Sequence, residues 1–182
     1  MKQYLQELRN IQHPRHPGVS AGVCAACVEA TDVCMSRHHT PPETALHIER
    51  EGARVSRILR WQQPTPDVSR AWNNADDATR DAAYIVSLAV AEDELEMVAF
   101  SRAETRTGAD YYIGPSEAAD LEDAWRLEVS GSDRGSRSQI RRRLTEKIKQ
   151  AVKGLSNLPA LAAVVGFREA LVMMSEVVLP DG

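Results

Sequence analysis

The chain has 182 residues, of which 43% are hydrophobic and 26% charged, and its net charge at neutral pH is −4. These values are typical of a globular domain long enough to bury a core, and they exclude extensive disorder. No apolar run is long enough to cross a membrane, the N-terminus lacks the apolar stretch of a signal peptide, and three cysteines are too few for a disulfide framework. We therefore expect a cytoplasmic protein with no membrane association.

The first 40 residues are predicted to form a helical segment. Apolar side chains recur at helical spacing in residues 1–12, and the two prolines of residues 13–18 end that helix. The small residues of 20–37 predict a second helix, with Ser20 as its N-cap. Residues 44–61 then alternate between apolar and polar side chains around a glycine-containing turn, which is typical of a β-hairpin.

Residues 41–182 are predicted to form an α+β domain, packed with the N-terminal segment into one compact unit. After the hairpin and a short helical stretch from Asp67, the predicted elements are a helix over 76–91, strands over 95–100, 111–113 and 125–129, an amphipathic helix over 137–153 and a central apolar strand over 161–167. Residues 170–179 suit either a strand or a helix. The fold class is therefore α+β, close to α/β, with a central mixed sheet.

Charge is distributed unevenly along the second half of the chain. Residues 76–128 carry 14 acidic and four basic side chains, a net charge of −10, whereas residues 134–153 carry eight basic and one acidic, a net charge of +7. A basic helix is typical of a surface that contacts nucleic-acid phosphates. The candidate contacts are Arg134, Arg137, Arg141, Arg142, Arg143, Lys147 and Lys149. The alternative is a solvated helix whose arginines pair with the acidic segment.

Cysteine and histidine residues cluster near the end of the second predicted helix. Cys24, Cys27 and Cys34 precede His38 and His39, and the Cys-x2-Cys spacing is one that zinc ligands use. The three cysteines share one face of a helix, and buried cysteine behaves as a small hydrophobic residue, so we expect them to pack in the core rather than to bind zinc. The remaining histidines are expected at the surface or in turns: His13, His16 and His47.

Two acidic residues lie on neighbouring predicted strands. Asp110 is at the start of the second of the three strands, and Glu128 is inside the third. Adjacent strands can bring two carboxylates together, and carboxylate oxygens suit Mg²⁺ or Mn²⁺, an arrangement that serves phosphodiester cleavage. A carboxylate inside an apolar strand is costly to bury unless it is paired or bound. The alternatives are solvent-facing acids, or an ion pair of Glu128 with Arg126 or Arg102.

These features together resemble the PD-(D/E)XK nuclease superfamily, and more narrowly a group of small bacterial proteins of that kind. The matching segments are DDATRDAAYIVSLAV, SRAETRTGADYYIG, RLEVSG, the basic helix and AAVVGF, and the preceding hairpin also fits. The resemblance implies a restriction-endonuclease-like core of the order αβββαβ, preceded by the N-terminal helices and the hairpin.

The resemblance assigns the motif aspartate to Asp110 and the motif glutamate to Glu128, with Mg²⁺ or Mn²⁺ bound by both. The motif lysine, which orients the attacking water and stabilises developing charge in such nucleases, would occupy position 130, where this chain has Ser130. Related proteins often carry a glutamate on the helix before the three strands, where this chain has Arg80. A nearby arginine could stabilise charge in place of the lysine but could not act as a general base.

The sequence leaves three functions open. The absence of the lysine favours a nuclease-like but catalytically degenerate subunit that binds nucleic acid or assembles into a bacterial complex for antiphage defence or DNA processing. The first alternative is an active Mg²⁺-dependent nuclease, and the second is a protein-interaction subunit without a nucleic-acid role. The expected partners are nucleic acid and either another protein or a second copy of this chain, with no cofactor besides the divalent cation.

Overall fold

The computed structural model describes residues 3–104, 107, 109–115, 123–154 and 156–177. These residues form four α-helices and seven β-strands. In chain order they are α1 (Ala21–Ser36), β1 (Glu43–Arg50), β2 (Ala53–Arg60), α2 (Pro66–Ala71), α3 (Ala75–Leu95), β3 (Met97–Arg102), β4 (Tyr111–Pro115), β5 (Trp125–Ser132), α4 (Arg137–Lys153), β6 (Ala160–Gly166) and β7 (Leu171–Val177). None of these helices is long and apolar enough to span a membrane.

The seven strands belong to one mixed sheet, in the order β2-β1-β7-β6-β5-β4-β3. Strands β3, β4 and β5 form an antiparallel meander, and α4 then returns the chain so that β6 pairs parallel to β5. Strand β7 is antiparallel to β6, and the β1–β2 hairpin joins the sheet through the parallel pairing of β1 with β7. The predicted α+β class and mixed sheet are therefore confirmed.

Capping side chains explain where the helices begin. Ser20 caps α1, as predicted, and Asn74 caps α3 by accepting hydrogen bonds from the backbone of its first turn, so that α2 and α3 are separate helices. Ser136 forms a capping box with Gln139 at the start of α4. Within residues 170–179, which suited either a strand or a helix, Leu171–Val177 form β7, and residues 178–182 lie outside the described part of the chain.

The two faces of the sheet are covered differently. Helix α3 lies on one face and is buried over twelve of its 21 residues, most of them small, and α1 packs against it. Helix α4 lies on the other face and buries only two of its 17 residues, Ile140 and Ala151. One large core cluster extends from Leu5 through α1 and α3 to Met174, so the first 40 residues share their core with the rest of the domain.

The N-terminal segment lies along both edges of the sheet. At β2, Leu5 N donates to Ile58 O at 3.0 Å, and Ile58 N donates to Gln3 O at 2.8 Å. At β3, Gly18 N donates to Ala99 O at 2.9 Å. Open edge strands invite pairing with other chains, so this one segment protects both ends of the sheet.

The helix predicted over residues 1–12 is wrong. Only Leu8–Asn10 form a short 3-10 turn, because the backbone before it pairs with β2 instead. His16 was expected at the surface or in a turn; it lies in the turn region of residues 11–18 but is fully buried. Its Nδ1 accepts a hydrogen bond from Ala99 N at 3.1 Å, and its Nε2 lies 2.8 Å from a carboxylate oxygen of Glu92. The imidazole thereby fixes the N-terminal segment to β3.

Candidate active site

One face of β5 presents polar side chains to α4. Residues two apart on a strand are about 6.6 Å apart, and residues four apart on a helix are about 6 Å apart, so the two series stay in step where the elements pack. Three pairs follow this rule: Arg126 with Ala151, Glu128 with Lys147, and Ser130 with Arg143. The candidate site is therefore a strand of polar residues matched by one stripe of the basic helix.

Glu128 is the buried carboxylate of this site, with only 5% of its surface exposed. Lys147 Nζ lies 3.0 Å from Glu128 Oε2, while Glu128 Oε1 has no hydrogen-bond partner among the described residues. Burial raises the pKa of Glu128, the nearby Lys147 ammonium opposes that rise, and the charge of Asp110 adds to it. The carboxylate is thus only partly compensated by its lysine.

Asp110 lies immediately before β4, beside β5. In the β4–β5 register Tyr111 is opposite Leu127, so one further step places Asp110 beside Glu128. The Asp110 backbone N–H donates to Leu127 O at 2.8 Å, and its carboxylate accepts from Val129 N at 2.7 Å. These contacts fix the aspartate at the end of the ladder.

Tyr84 of α3 provides the other contact of Asp110. The Tyr84 hydroxyl donates to Asp110 Oδ1 at 3.1 Å, and burial together with the aspartate charge raises the pKa of Tyr84 to about 12. A hydroxyl with so high a pKa remains a donor throughout the neutral range. The tyrosine therefore orients the carboxylate from the face of the sheet opposite to α4.

The two predicted carboxylates are on neighbouring strands and close enough for their charges to interact, but they have different partners. Asp110 contacts α3 and the β5 backbone, whereas Glu128 contacts α4. The alternative pairing of Glu128 with Arg126 or Arg102 is wrong. Arg102 lies over the rings of Tyr84 and Tyr111 instead.

Arg126 is completely buried although it has no carboxylate partner within ion-pair distance among the described residues. Its Nε donates to Leu158 O at 3.2 Å and its Nη1 donates to Ala151 O at 3.1 Å, in the last turn of α4. A cation near a helix C-terminus is favourable because the carbonyls there carry partial negative charge. Burial nevertheless lowers the pKa of Arg126, and its Nη2 has no hydrogen-bond partner.

Ser130, at the position where the resemblance implies a lysine, is contacted by α4. Arg143 Nη1 lies 3.4 Å from Ser130 Oγ and donates to Gly131 O at 2.7 Å. Lys147, one helical turn further along, supplies an ammonium group at Glu128. Lys147 was predicted to contact phosphate, and its pairing with Glu128 was not predicted. The four-residue spacing of positions 143, 147 and 151 places them on one face of α4. This spacing predicts their partners on β5 only once the alignment of α4 on that strand is known.

The other basic residues of α4 divide into paired and unpaired groups. Arg137 and Arg141 lie 2.7 Å and 3.9 Å from the carboxylate of Glu49 on β1, so they pair outside the acidic segment of residues 76–128. Within the described part of the chain, no carboxylate lies at ion-pair distance from Arg142 or Lys149. These two cations remain available to an anionic ligand.

A basic depression of about 320 Å³ lies beside the end of β5. It is lined by Ser132, Arg134, Gly135, Gln139, Arg142, Arg143 and Glu146. Three arginines and one glutamate leave this depression positively charged. It adjoins Ser130 through Arg143, so an anion held here would lie next to the polar stripe of β5.

Arg80, at the position where the resemblance implies a glutamate, is on the exposed side of α3. It pairs with Asp81 at 2.8 Å and with Asp77 at 3.0 Å, one turn before Tyr84. These interactions hold the guanidinium on its own helix. Arg80 therefore adds no carboxylate to the pair formed by Asp110 and Glu128.

Asp110 and Glu128 suit a divalent cation by the chemistry of their oxygens. Mg²⁺ in phosphoryl-transfer sites is often held by one or two carboxylates, with water and substrate phosphate in the remaining positions. In residues 3–177, leaving aside the gaps given above, no group of three or more His, Cys, Asp or Glu side chains is placed to hold a metal ion. The candidate ligand set is therefore these two carboxylates.

The cysteines of α1 are buried in the core as free thiols: Cys24, Cys27 and Cys34. Burial raises the pKa of the Cys27 and Cys34 thiols to about 12, so both remain protonated near neutral pH. The histidines that follow have other partners, since His38 lies 2.9 Å from Asp133 and His39 contacts a backbone carbonyl. The group thus packs as part of the fold.

Comparisons of this chain with protein-family models, curated proteins and solved structures gave no match.

Proposed function

We propose that this chain is a divalent-metal-dependent phosphodiesterase of the PD-(D/E)XK nuclease type that acts on nucleic acid. The observation that carries the proposal is the position of Lys147, whose ammonium lies 3.0 Å from Glu128 on the strand next to Asp110. Two carboxylates and a lysine are the charge set expected of such a site. The lysine that is absent at position 130 is supplied from α4.

The topology around the site supports this proposal. Strand β5 carries Glu128, the antiparallel strand β4 follows Asp110, and α4 connects β5 to the parallel strand β6. This is the αβββαβ order to which the resemblance assigned the nuclease motif. Ligand sites often lie where the strand connections change direction, as they do between β4, β5 and β6.

Each residue of the site has a distinct role in the proposed reaction. Asp110, oriented by Tyr84 and the Val129 N–H, and Glu128 hold the cation, which when bound polarises a phosphoryl oxygen and lowers the pKa of bound water. Lys147 places a fixed positive charge beside Glu128, where it stabilises negative charge that develops on the phosphate. The lysine also limits the cost of burying Glu128 before substrate binds.

The basic surface beside the site positions the substrate. Arg142 and Lys149 are on the same helix as Lys147, and the depression lined by Arg134 and Arg143 lies near the start of that helix. Such contacts neutralise phosphates without reading bases, so binding should weaken steeply as salt concentration rises. Nucleic acids of many sequences should therefore be substrates.

The test is a cleavage assay on plasmid DNA, linear DNA and RNA with Mg²⁺ or Mn²⁺ added. We expect cleavage by the unaltered chain and a fall of about 100-fold in Lys147→Met, on the scale of losing one transition-state donor. Lys153→Met, an exposed lysine at the end of the same helix and outside the basic surface just described, should cleave within about threefold of the unaltered chain. Equal cleavage by both variants, or none with any substrate and metal, would rule the proposal out.

A nucleic-acid-binding subunit without catalysis is the second candidate. Its supporting observation is that both carboxylates already have partners, Asp110 with Tyr84 and Val129 N, and Glu128 with Lys147. Such a subunit would bind DNA or RNA in a salt-dependent manner and release no product. Assembly into a defence or DNA-processing complex remains a prediction of this candidate, and co-purification with a defined protein partner would test it.

A further inference from the structure

Two adjoining cavities lie between α1 and the N-terminal segment, far along the chain from β5 and α4. One has a volume of about 370 Å³ and the other about 430 Å³. Both are lined by Arg9, Val28, Asp32 and Gln62, so they form one continuous groove with Asp32 at its middle. Cavities of this size are typical of small-molecule sites.

Asp32 is a buried acid with an unused oxygen. Only 7% of the residue is exposed, and Oδ1 accepts a hydrogen bond from Gln62 N at 2.9 Å. Oδ2 accepts no hydrogen bond among the described residues, although Asp32 lines both cavities. Burial raises the pKa of Asp32, and the Gln62 N–H and the charge of Arg9 oppose that rise. Oδ2 is not fully enclosed, so a donor group of a ligand in the groove can reach it.

The walls of the groove are mostly apolar. One half is lined by Cys24, Ala25, Val28, Pro64 and Val68, and the other by Leu5, Leu8, Ile58 and Trp61, among others. Charged side chains occur mainly at the rim, where Arg9 and Glu29 are exposed to solvent and oppose one another. The buried carboxylate is therefore the dominant charge inside the groove, since charges at the rim are screened by water.

We propose that this groove binds a small organic amine or amidine, with the cationic N–H group donating to Asp32 Oδ2 and an apolar or aromatic body lying along α1. A cation with an apolar body complements this groove, because the Asp32 carboxylate lies between mostly apolar walls. The site is independent of the phosphodiesterase proposal, since none of its lining residues belongs to β4, β5 or α4.

Calorimetry with benzamidine, and with benzamide as its uncharged counterpart, tests the proposal on the full chain. We expect saturable benzamidine binding that weakens at least about tenfold in Asp32→Asn, which keeps an oxygen for Gln62 N but loses the charge. Asp76→Asn, the matched loss of an exposed acid that lines neither cavity, should change affinity less than about twofold. Benzamide should bind at least about tenfold more weakly than benzamidine.

A second measurement keeps the test valid if Asp32→Asn does not fold. In the unaltered chain, the backbone amide resonance of Gln62 should shift on titration with benzamidine, because its acceptor is the proposed anchor. Shifts confined to other surfaces would overturn the proposal. So would benzamidine affinity that is the same in Asp32→Asn, or the absence of saturable binding of both benzamidine and phenethylamine up to about 10 mM, a weak affinity for ligands of this size.

Discussion

Helices α3 and α4 cover opposite faces of the same sheet, yet they bury very different surfaces. Twelve of the 21 residues of α3 are buried, against two of the 17 residues of α4. Small side chains on α3 allow close packing against β5 and α1, whereas α4 packs on the sheet through one narrow apolar row and otherwise presents mostly polar and basic residues. One face of the sheet therefore supplies most of the core, and the other is available for charged chemistry.

Strand β5 shows this difference within eight residues. Leu127 and Val129 face the core on the α3 side, while Glu128 and Ser130 face α4. Burying a carboxylate beside a single lysine adds little to stability, and replacing such pairs with apolar residues is often neutral or stabilising. The polar stripe therefore indicates a function. Substitutions that alter only the α3 face or only the α4 face test this difference.

The largest effect is expected for Glu128→Gln. The substitution removes a metal-binding charge from the α4 side while keeping the side-chain shape, so we expect cleavage to fall by about 100- to 1,000-fold. Melting temperature should change little. The substitution removes the cost of burying the carboxylate and also removes its ion pair with Lys147, and these two effects offset one another. Asp76→Asn, which removes an exposed acid at the start of α3, is the control and should leave cleavage within about twofold. Equal losses in both variants would contradict the assigned role of Glu128.

On the α3 side, Gly131→Ala should destabilise the fold. A Cβ at this position would lie 2.5 Å from the carbonyl oxygen of Thr79, so α3 must move away from β5. We expect a decrease of about 1–3 kcal/mol in the free energy of unfolding, measured by denaturant titration. Gly22→Ala is the matched control, because a Cβ there meets no atom within 4 Å, and alanine should stabilise α1 by up to about 1 kcal/mol.

Lys147→Met should give a destabilisation that depends on pH. Burial raises the pKa of Glu128 in the folded protein above its value of about 4.5 in the unfolded chain. The contribution of Glu128 to the free energy of unfolding is therefore most favourable below about pH 4.5, and it is lost as pH rises through the folded pKa. Removing the ammonium raises that folded pKa further. We expect the variant to be less stable by about 1–2 kcal/mol near pH 7.5, with the difference narrowing towards pH 4.5. A difference that does not vary with pH would exclude this coupling.

The smallest effect is expected for Arg142→Ala. This exposed arginine has no ion pair among the described residues, so stability should change by less than about 0.5 kcal/mol. Nucleic-acid affinity should fall, and the salt dependence of binding should lose about one unit of slope for a single phosphate contact. Arg80→Ala removes an exposed arginine from α3 and should leave the nucleic-acid affinity and its salt dependence unchanged. The same response in both variants would remove the distinction between the two faces.

The sequence predicted the elements whose own pattern is strong. Helix α4 has the bounds expected from its amphipathic spacing and its Gly154 cap position, and β6 is the buried central strand expected from its apolar run. Such elements are visible in one sequence because a single face, or a fully apolar stretch, determines their packing.

Features that depend on the relative placement of elements were missed. Glu128 meets Lys147 only because β5 and α4 are aligned in one particular register. The segment before Leu8 has a helical pattern, but its backbone pairs with β2, and His16 is buried because β3 provides Ala99 N as its donor. In each case the partner is distant in sequence, and tertiary contacts override the local pattern.

The most direct test of the site on the α4 face is calorimetry of Mn²⁺ binding to the full chain. We expect saturable binding to the unaltered protein that disappears in the double variant Asp110→Asn/Glu128→Gln and persists in Asp77→Asn/Asp81→Asn, which removes two acids from α3 instead. Binding that survives loss of Asp110 and Glu128, or that is equally lost in the α3 control, would contradict a metal site between β4 and β5.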